Sequence, residues 1–275
     1  ISFLTFKFNS SKKKIYFSHI PKTAGRTITD IFEEVSKTNT NYIIGEKIFW
    51  SKIKKEHPHY YEYFLKRKYY KQFIKFNNNH HWNISFWHIP LSFWKEDILM
   101  DYKKKYMIFC VIRNPYDRIV SDFKFWIKFY YLQKKSKHER HYYALLKQIE
   151  TIYENNFTLS KKNMNKVIQK LLNTNQYEYA LDGHIIPQYK YVYTLINKKL
   201  IKIPDLIIYF ENLKNELKKY KNKYFPLISN QLIENTHKNP SLNKNLNKSQ
   251  LTDQTKDLIY NYYKGDFIAF HYEKE

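Results

Sequence analysis

Pro21-Lys22-Thr23-Ala24-Gly25-Arg26-Thr27 packs two cations, two hydroxyls and a glycine into one short stretch. It follows the apolar run Ile15-Tyr16-Phe17 and opens onto a helix-like pattern at Ile28, Ile31, Phe32 and Val35. A strand, a tight basic turn and a helix N-terminus make an anion cradle, because freed backbone N–H groups and the positive end of the helix dipole attract phosphate. Lys22 adds a point charge and Arg26 a second cation, and Thr23 and Thr27 add hydroxyl donors. The chain has only 4 glycines in 275 residues. Gly25 therefore stands out, and a glycine permits the close backbone approach that a phosphate needs. The candidate anion-binding set is Lys22, Thr23, Ala24, Gly25, Arg26 and Thr27.

A second anion motif lies further on. Tyr106-Met107-Ile108-Phe109-Cys110-Val111-Ile112 reads as a buried parallel strand and ends in Arg113-Asn114-Pro115-Tyr116-Asp117-Arg118-Ile119-Val120-Ser121. Asn114 suits an N-cap, Pro115 the first helical position and Asp117 the first turn near the positive dipole end. Ser121 returns to the face of the strand-helix junction, so Arg113 and Ser121 can grip one anion together. Neither motif is a nucleotide P-loop of the form G-x-x-x-x-G-K-[ST], since Lys22 precedes the single glycine of its turn.

The first segment resembles the 5′-phosphosulfate loop of sulfotransferases that use 3′-phosphoadenosine 5′-phosphosulfate (PAPS), a P-K-[TS]-x-[GS]-[ST]-T type turn. The second resembles the family's R-[ND]-P-x-[DE]-R-x-x-S pattern, which implies that Arg113 and Ser121 hold the donor's 3′-phosphate. The resemblance is to the carbohydrate sulfotransferases of the heparan type. It implies PAPS as cofactor, a P-loop-like parallel β-sheet flanked by helices (the α/β sulfotransferase fold), and sulfuryl transfer to a hydroxyl, expected on a carbohydrate.

That reaction needs a base for the acceptor proton and positive charge near the leaving oxygen. Lys22 is placed to supply the charge. His88, in Ile84-Ser85-Phe86-Trp87-His88-Ile89-Pro90, lies between the two phosphate motifs and is the candidate base, because an imidazole accepts a proton near neutral pH. The segment resembles the short strand end that carries the catalytic histidine in heparan-type enzymes; a histidine packed in an aromatic strand is the competing reading. Asp182-Gly183-His184-Ile185-Ile186-Pro187-Gln188 resembles the D-x-H-x-x-P-Q loop of the same family, which implies that His184 and Gln188 help to shape the acceptor side. The adjacent pair His80-His81 points to opposite sides of an extended chain. No H-E-x-x-H, paired cysteine or acidic cluster at metal spacing is present, and a metal-free reaction is expected.

The elements that must position these groups follow the order strand, phosphate turn, helix, aromatic-rich region, strand, second phosphate turn, a mainly helical segment about 116–172, and a late strand at Leu206-Ile207-Ile208-Tyr209. Phe210-Glu211-Asn212-Leu213 resembles the Y-E-[ND]-L step that starts a late helix in these enzymes. Glu234 to Ser249 reads as an Asn/Lys-rich loop in the place where related enzymes fold a basic segment over the nucleotide, which makes Lys238 and Ser241 donor contacts by resemblance. Leu251 to Phe270 reads as an amphipathic helix and packed tail. A single domain over 1–275 is the simplest count.

Forty-eight Lys and Arg against 25 Asp and Glu give a formal net charge of +23, which favours a polyanionic partner. Charge alone does not rank nucleic acid, a sulfated or uronic-acid glycan and an anionic membrane surface; with the family resemblance, an acidic glycan or another hydroxyl-bearing acceptor is expected, and no specific nucleic acid. Apolar residues make up 43% and aromatic residues 19%, enough for a globular core. The single cysteine, Cys110, has no partner for a disulfide. No run of roughly 20 apolar residues marks a membrane span, and no signal-peptide pattern is visible; the family resemblance implies a Golgi-lumenal or membrane-associated setting in eukaryotes and a cytoplasmic one in bacteria or viruses. Two other function classes fit part of the sequence: a P-loop-type phosphotransferase, which would need Mg²⁺ ligands, and a noncatalytic nucleic-acid-binding protein using its Lys/Tyr-rich surface.

Overall fold

Every residue from Met107 to Ile112 is buried, and the alternation of strand side chains sends them to two different cores. In the computed structural model, which describes residues 4–6, 14–38, 42–44, 88–135, 143–173, 177–235 and 246–275, this strand β4 (Tyr106–Ile112) is the centre of the molecule. It pairs in parallel with β2 (Lys14–Ser18) on one side and β7 (Leu206–Tyr209) on the other. Two short strands, β1 (Leu4–Phe6) and β3 (Tyr42–Ile44), extend the β2 edge and run antiparallel, giving the order β3-β1-β2-β4-β7. The expected sheet is thus found with a parallel centre and an antiparallel edge. A separate antiparallel ribbon joins β5 (Tyr193–Ile196) and β6 (Lys199–Lys202).

On one face of the sheet, Ile15, Phe17, Phe109, Val111 and Ile208 pack against α1 (Gly25–Thr38) and α7 (Leu213–Tyr224). On the other, Tyr16, Ile108, Cys110 and Ile112 meet Ile89, Leu91 and Trp94, Leu99 of α2 (Glu96–Lys105), and Tyr191 and Val192 of the short α6 (Tyr189–Val192). A third core is helical. It joins α3 (Pro115–Lys134), α4 (Tyr143–Tyr153), α5 (Lys161–Leu172), α9 (Asp253–Tyr262) and α10 (Lys264–Phe270) through Phe123, Trp126, Ile149, Ile168, Ile259 and Phe267. A further helix, α8 (Asn230–Asn235), buries Ile233 against the first face. Residues read as the start of a loop, Glu234 and Asn235, close this helix.

The start of α3 follows its sequence. The Asn114 carboxamide oxygen accepts the N–H groups of Tyr116 (2.9 Å) and Asp117 (3.4 Å), and Pro115 opens the helix. Among the described residues, no helix is long and apolar enough to cross a membrane. His80, His81, the Ile84–Trp87 strand end, Lys238 and Ser241 lie outside the described residues.

Candidate active site

The register of the parallel strands, Ser18 beside Cys110 and Ile112 beside Tyr209, brings their carboxyl ends to one edge of the sheet. In an open α/β sheet that edge is where ligands sit. The turn after β2 enters it with Lys22 and Ala24 both left-handed, at φ 66° and 78°. Non-glycine residues hold such angles only where the surrounding structure enforces them, and alternating hands point successive N–H groups into one concavity. The Thr23 hydroxyl donates to the Ile20 carbonyl at 2.8 Å and is fully buried, so it braces the turn from inside. Arg26 faces solvent and pairs with Asp30 at 2.9 Å.

Gly25 has a packing reason to be glycine besides the one its sequence indicates. A Cβ there would lie 1.8 Å from Nε2 of His19, so the imidazole occupies the space a side chain would need.

Arg113 leaves the end of β4 and its Nη1 donates to the Lys22 carbonyl at 3.2 Å, joining the two predicted anion motifs. Its guanidinium lies 4.2 Å from the Phe210 ring centroid, and its buried Nε has no hydrogen-bond partner. Lys22 Nζ lies 4.1 Å from the Phe125 ring centroid. Burial, reinforced by Arg113, Lys124 and Lys128 against the opposing pull of Asp122, lowers the Lys22 pKa to about 8. Burial likewise lowers Arg113, and Lys124, where Arg113 adds repulsion. Three cations thus lie close together, each lowered first by burial, around an unpartnered guanidinium nitrogen, an arrangement that attracts an anion. Ser121 sits on α3, two turns past Asn114, and is partly exposed.

Gln188 is fully buried. Its Oε1 accepts the Arg113 N–H at 2.9 Å, its Nε2 donates to the Arg113 carbonyl at 2.8 Å, and its own N–H donates to Asp266 at 2.9 Å. The side chain that the resemblance assigns to the acceptor side instead fixes the backbone of Arg113.

Next to the cations stands a group of imidazoles. His88 Nδ1 and Asp182 Oδ2 are 2.8 Å apart. A carboxylate only accepts, so the proton is on Nδ1 and Nε2 is left as the basic nitrogen. The Tyr191 hydroxyl donates to the His88 carbonyl at 2.8 Å. His19 and His184 each lie 5.0 Å from His88, centroid to centroid, in edge contacts. His184 forms a second pair, Nδ1 to Asp122 Oδ1 at 2.6 Å, and packs against Phe125 and Trp126, whose indole N–H donates to Asp122 Oδ2 at 3.2 Å. Burial outweighs Asp122 and lowers the His184 pKa; burial and then the neighbouring His88, His184 and Lys22 push His19 well below the usual imidazole range.

Sequence reasoning missed His19 and Asp122. An acid at core-facing spacing beside Phe123 and Trp126 is the signal that would have found Asp122. It also saw no metal-spaced set, yet His88, Asp182 and His184 offer ligand atoms within 4.8 Å of one another.

The sulfotransferase family model matches residues 6–273, nearly the whole chain. The chain belongs to the sulfotransferase family. A search of curated proteins finds no match, and neither does a search of solved structures. Membership makes this sulfotransferase a transferase of sulfuryl groups to hydroxyl-bearing acceptors, a class that generally takes PAPS as donor. Nothing observed supports the phosphotransferase or nucleic-acid-binding alternatives.

Proposed function

We propose that this sulfotransferase moves the sulfuryl group of PAPS to a hydroxyl of an acidic carbohydrate, with His88 as base and Lys22 at the leaving oxygen. The observation that carries the reading is the contact between Arg113 and the Lys22 carbonyl, 3.2 Å long at the ends of adjacent parallel strands. It supports one ligand with an anionic group at each motif. In this reading the turn from Lys22 to Thr27, with Arg26 on its rim, takes the phosphosulfate; Arg113 and Ser121 take the 3′-phosphate, and Lys238 and Ser241 close over the nucleotide. The orphan Arg113 Nε fits a donor phosphate, which would supply the acceptor that this buried N–H lacks.

When bound, PAPS supplies an activated sulfuryl group on a phosphate leaving group. His88 Nε2 accepts the acceptor's hydroxyl proton while Asp182 holds Nδ1–H and stabilises the imidazolium. The acceptor oxygen bonds to sulfur as the bridging S–O bond breaks, and Lys22 Nζ meets the charge that collects on the departing phosphate. His184 and Phe125 line the acceptor side, with Gln188 acting through the Arg113 backbone. This chemistry needs no metal.

The net charge of +23 and the exposed Lys128 favour an acidic glycan over a neutral one. Such an acceptor goes with a Golgi-lumenal or membrane-associated setting in a eukaryote and the cytoplasm in a bacterial or viral source. One domain over 1–275 is consistent with a family match that spans nearly all of it.

Transfer of labelled sulfate from PAPS to a panel of heparan, chondroitin and neutral oligosaccharides tests the proposal. Label on the acidic glycans is expected; label only on a phenol or a tyrosine peptide would overturn the carbohydrate assignment.

A further inference from the structure

Arg118 belongs to the second motif, yet the reaction described so far gives it no task. It is almost fully buried in α3, at 2% exposure, where its charge acts on the buried Asp266 carboxylate and its Nη1 has no hydrogen-bond partner. A buried guanidinium is costly to desolvate, so its hydrogen bonds, beside the attraction of Asp266, must account for its presence. They run in two directions. Nε donates to the Pro21 carbonyl at 3.1 Å, one residue before Lys22, and Nη2 donates to the carbonyls of His184 at 2.6 Å and Ile186 at 3.0 Å.

The carbonyls of His184 and Ile186 follow a strained turn. Leu181, Asp182 and Gly183 are all left-handed, at φ 51°, 58° and 71°. For leucine and aspartate this conformation is strained. Neighbours have to hold it, and they do so from both sides: Gln148 Oε1 accepts the Leu181 N–H at 3.1 Å, and Arg118 binds the chain just downstream. The strained turn is what aims Asp182 at His88.

Resting on the proposed function, we infer that Arg118 is a positioning residue that sets the distance between the leaving-group lysine and the base. A single rigid guanidinium spans the donor loop at Pro21 and the loop that carries Asp182 and His184. If either loop drifts, Lys22 and His88 no longer face the same sulfur from opposite ends. A lysine cannot replace it, because one ammonium on a flexible stem does not reproduce a planar fork reaching three carbonyls.

The test compares Arg118→Lys and Arg118→Gln with the unaltered protein for PAP affinity by calorimetry, for kcat and KM with PAPS and desulfated heparan, and for thermal unfolding. Both variants are expected to lose about 10²-fold in kcat, the effect of a 1 Å misplacement, with PAP affinity kept within about threefold. Unchanged kcat in a folded variant, or a kcat loss matched by an equal loss of PAP affinity, overturns the inference.

Should neither variant fold, arginine-selective ¹⁵N NMR of the unaltered protein decides: slow rotation of the Arg118 guanidinium, with and without PAP, is expected of a clamp, and fast rotation overturns it. Failure of the proposed function reads differently, as an unaltered protein that neither binds PAP nor transfers sulfate.

Discussion

Replacing Gly25 with alanine tests how tightly the anion turn and the imidazole group are built into one another. The new Cβ would stand 1.8 Å from His19 Nε2, 2.4 Å from Cδ2 and 2.5 Å from Cε1, where ordinary contact begins at 3.4 Å. The ring must therefore withdraw by about 1.6 Å or the helix start must shift, and overpacking of this kind costs about 1–3 kcal/mol. Helix propensity works the other way, favouring alanine by about 1 kcal/mol, so clash decides the sign. The His19 ring stacks on Phe17 at 5.6 Å and touches His88 at 5.0 Å, and a withdrawal this large breaks at least one of those contacts. Turnover is expected to fall about 10²-fold through misplacement of His88, the proposed base.

The assay is a double-mutant cycle read by thermal unfolding and by sulfate transfer. His19→Ala removes the ring that collides, so Gly25→Ala in that background is expected to cost nothing and to recover helix propensity, a strongly non-additive pair. Additive losses, or a Gly25→Ala protein as stable and active as its parent, would refute the packing argument.

In the proposed mechanism Lys22 has to be charged to meet the leaving phosphate. Its pKa is lowered to about 8 in the free protein, so kcat/KM is expected to fall as pH rises through about 8, and a pH-rate profile that stays flat to pH 10 contradicts the role. The sign for stability is opposite: the fold disfavours the ammonium, so this lysine's destabilisation is full below pH 8 and fades as pH climbs toward the unfolded value of 10.5. Asp182→Asn keeps the shape but reverses the tautomer preference of His88; a kcat loss of about 10²-fold with PAP affinity unchanged is expected, and full turnover would remove Asp182 from the mechanism. Because His88, Asp182 and His184 could also hold an ion, assays in EDTA are informative: undiminished transfer is expected, and a loss restored by added Zn²⁺ would replace the proton-transfer reading with a metal one.

The parts that the sequence displayed were those whose causes are local. An unbroken apolar run at Tyr106–Ile112 can be buried only between two layers, and Asn114-Pro115 starts a helix by capping chemistry that spans three residues. The antiparallel edge made by β1 and β3 was hidden, since strands of three residues carry too little pattern to declare a direction. The imidazole pairs were hidden for another reason. Asp182 meets His88 across 94 positions and Asp122 meets His184 across 62, and no spacing rule connects residues that only the fold brings together. Gln188 shows the same limit from the opposite direction: its motif placed it by the site, while its burial turned its amide onto the Arg113 backbone.

The most direct measurement is the structure of the protein crystallised with PAP. The 5′-phosphate is expected in the turn from Lys22 to Thr27 and the 3′-phosphate within hydrogen-bond reach of Arg113 and Ser121. A bound PAP with either phosphate remote from its turn would contradict the account.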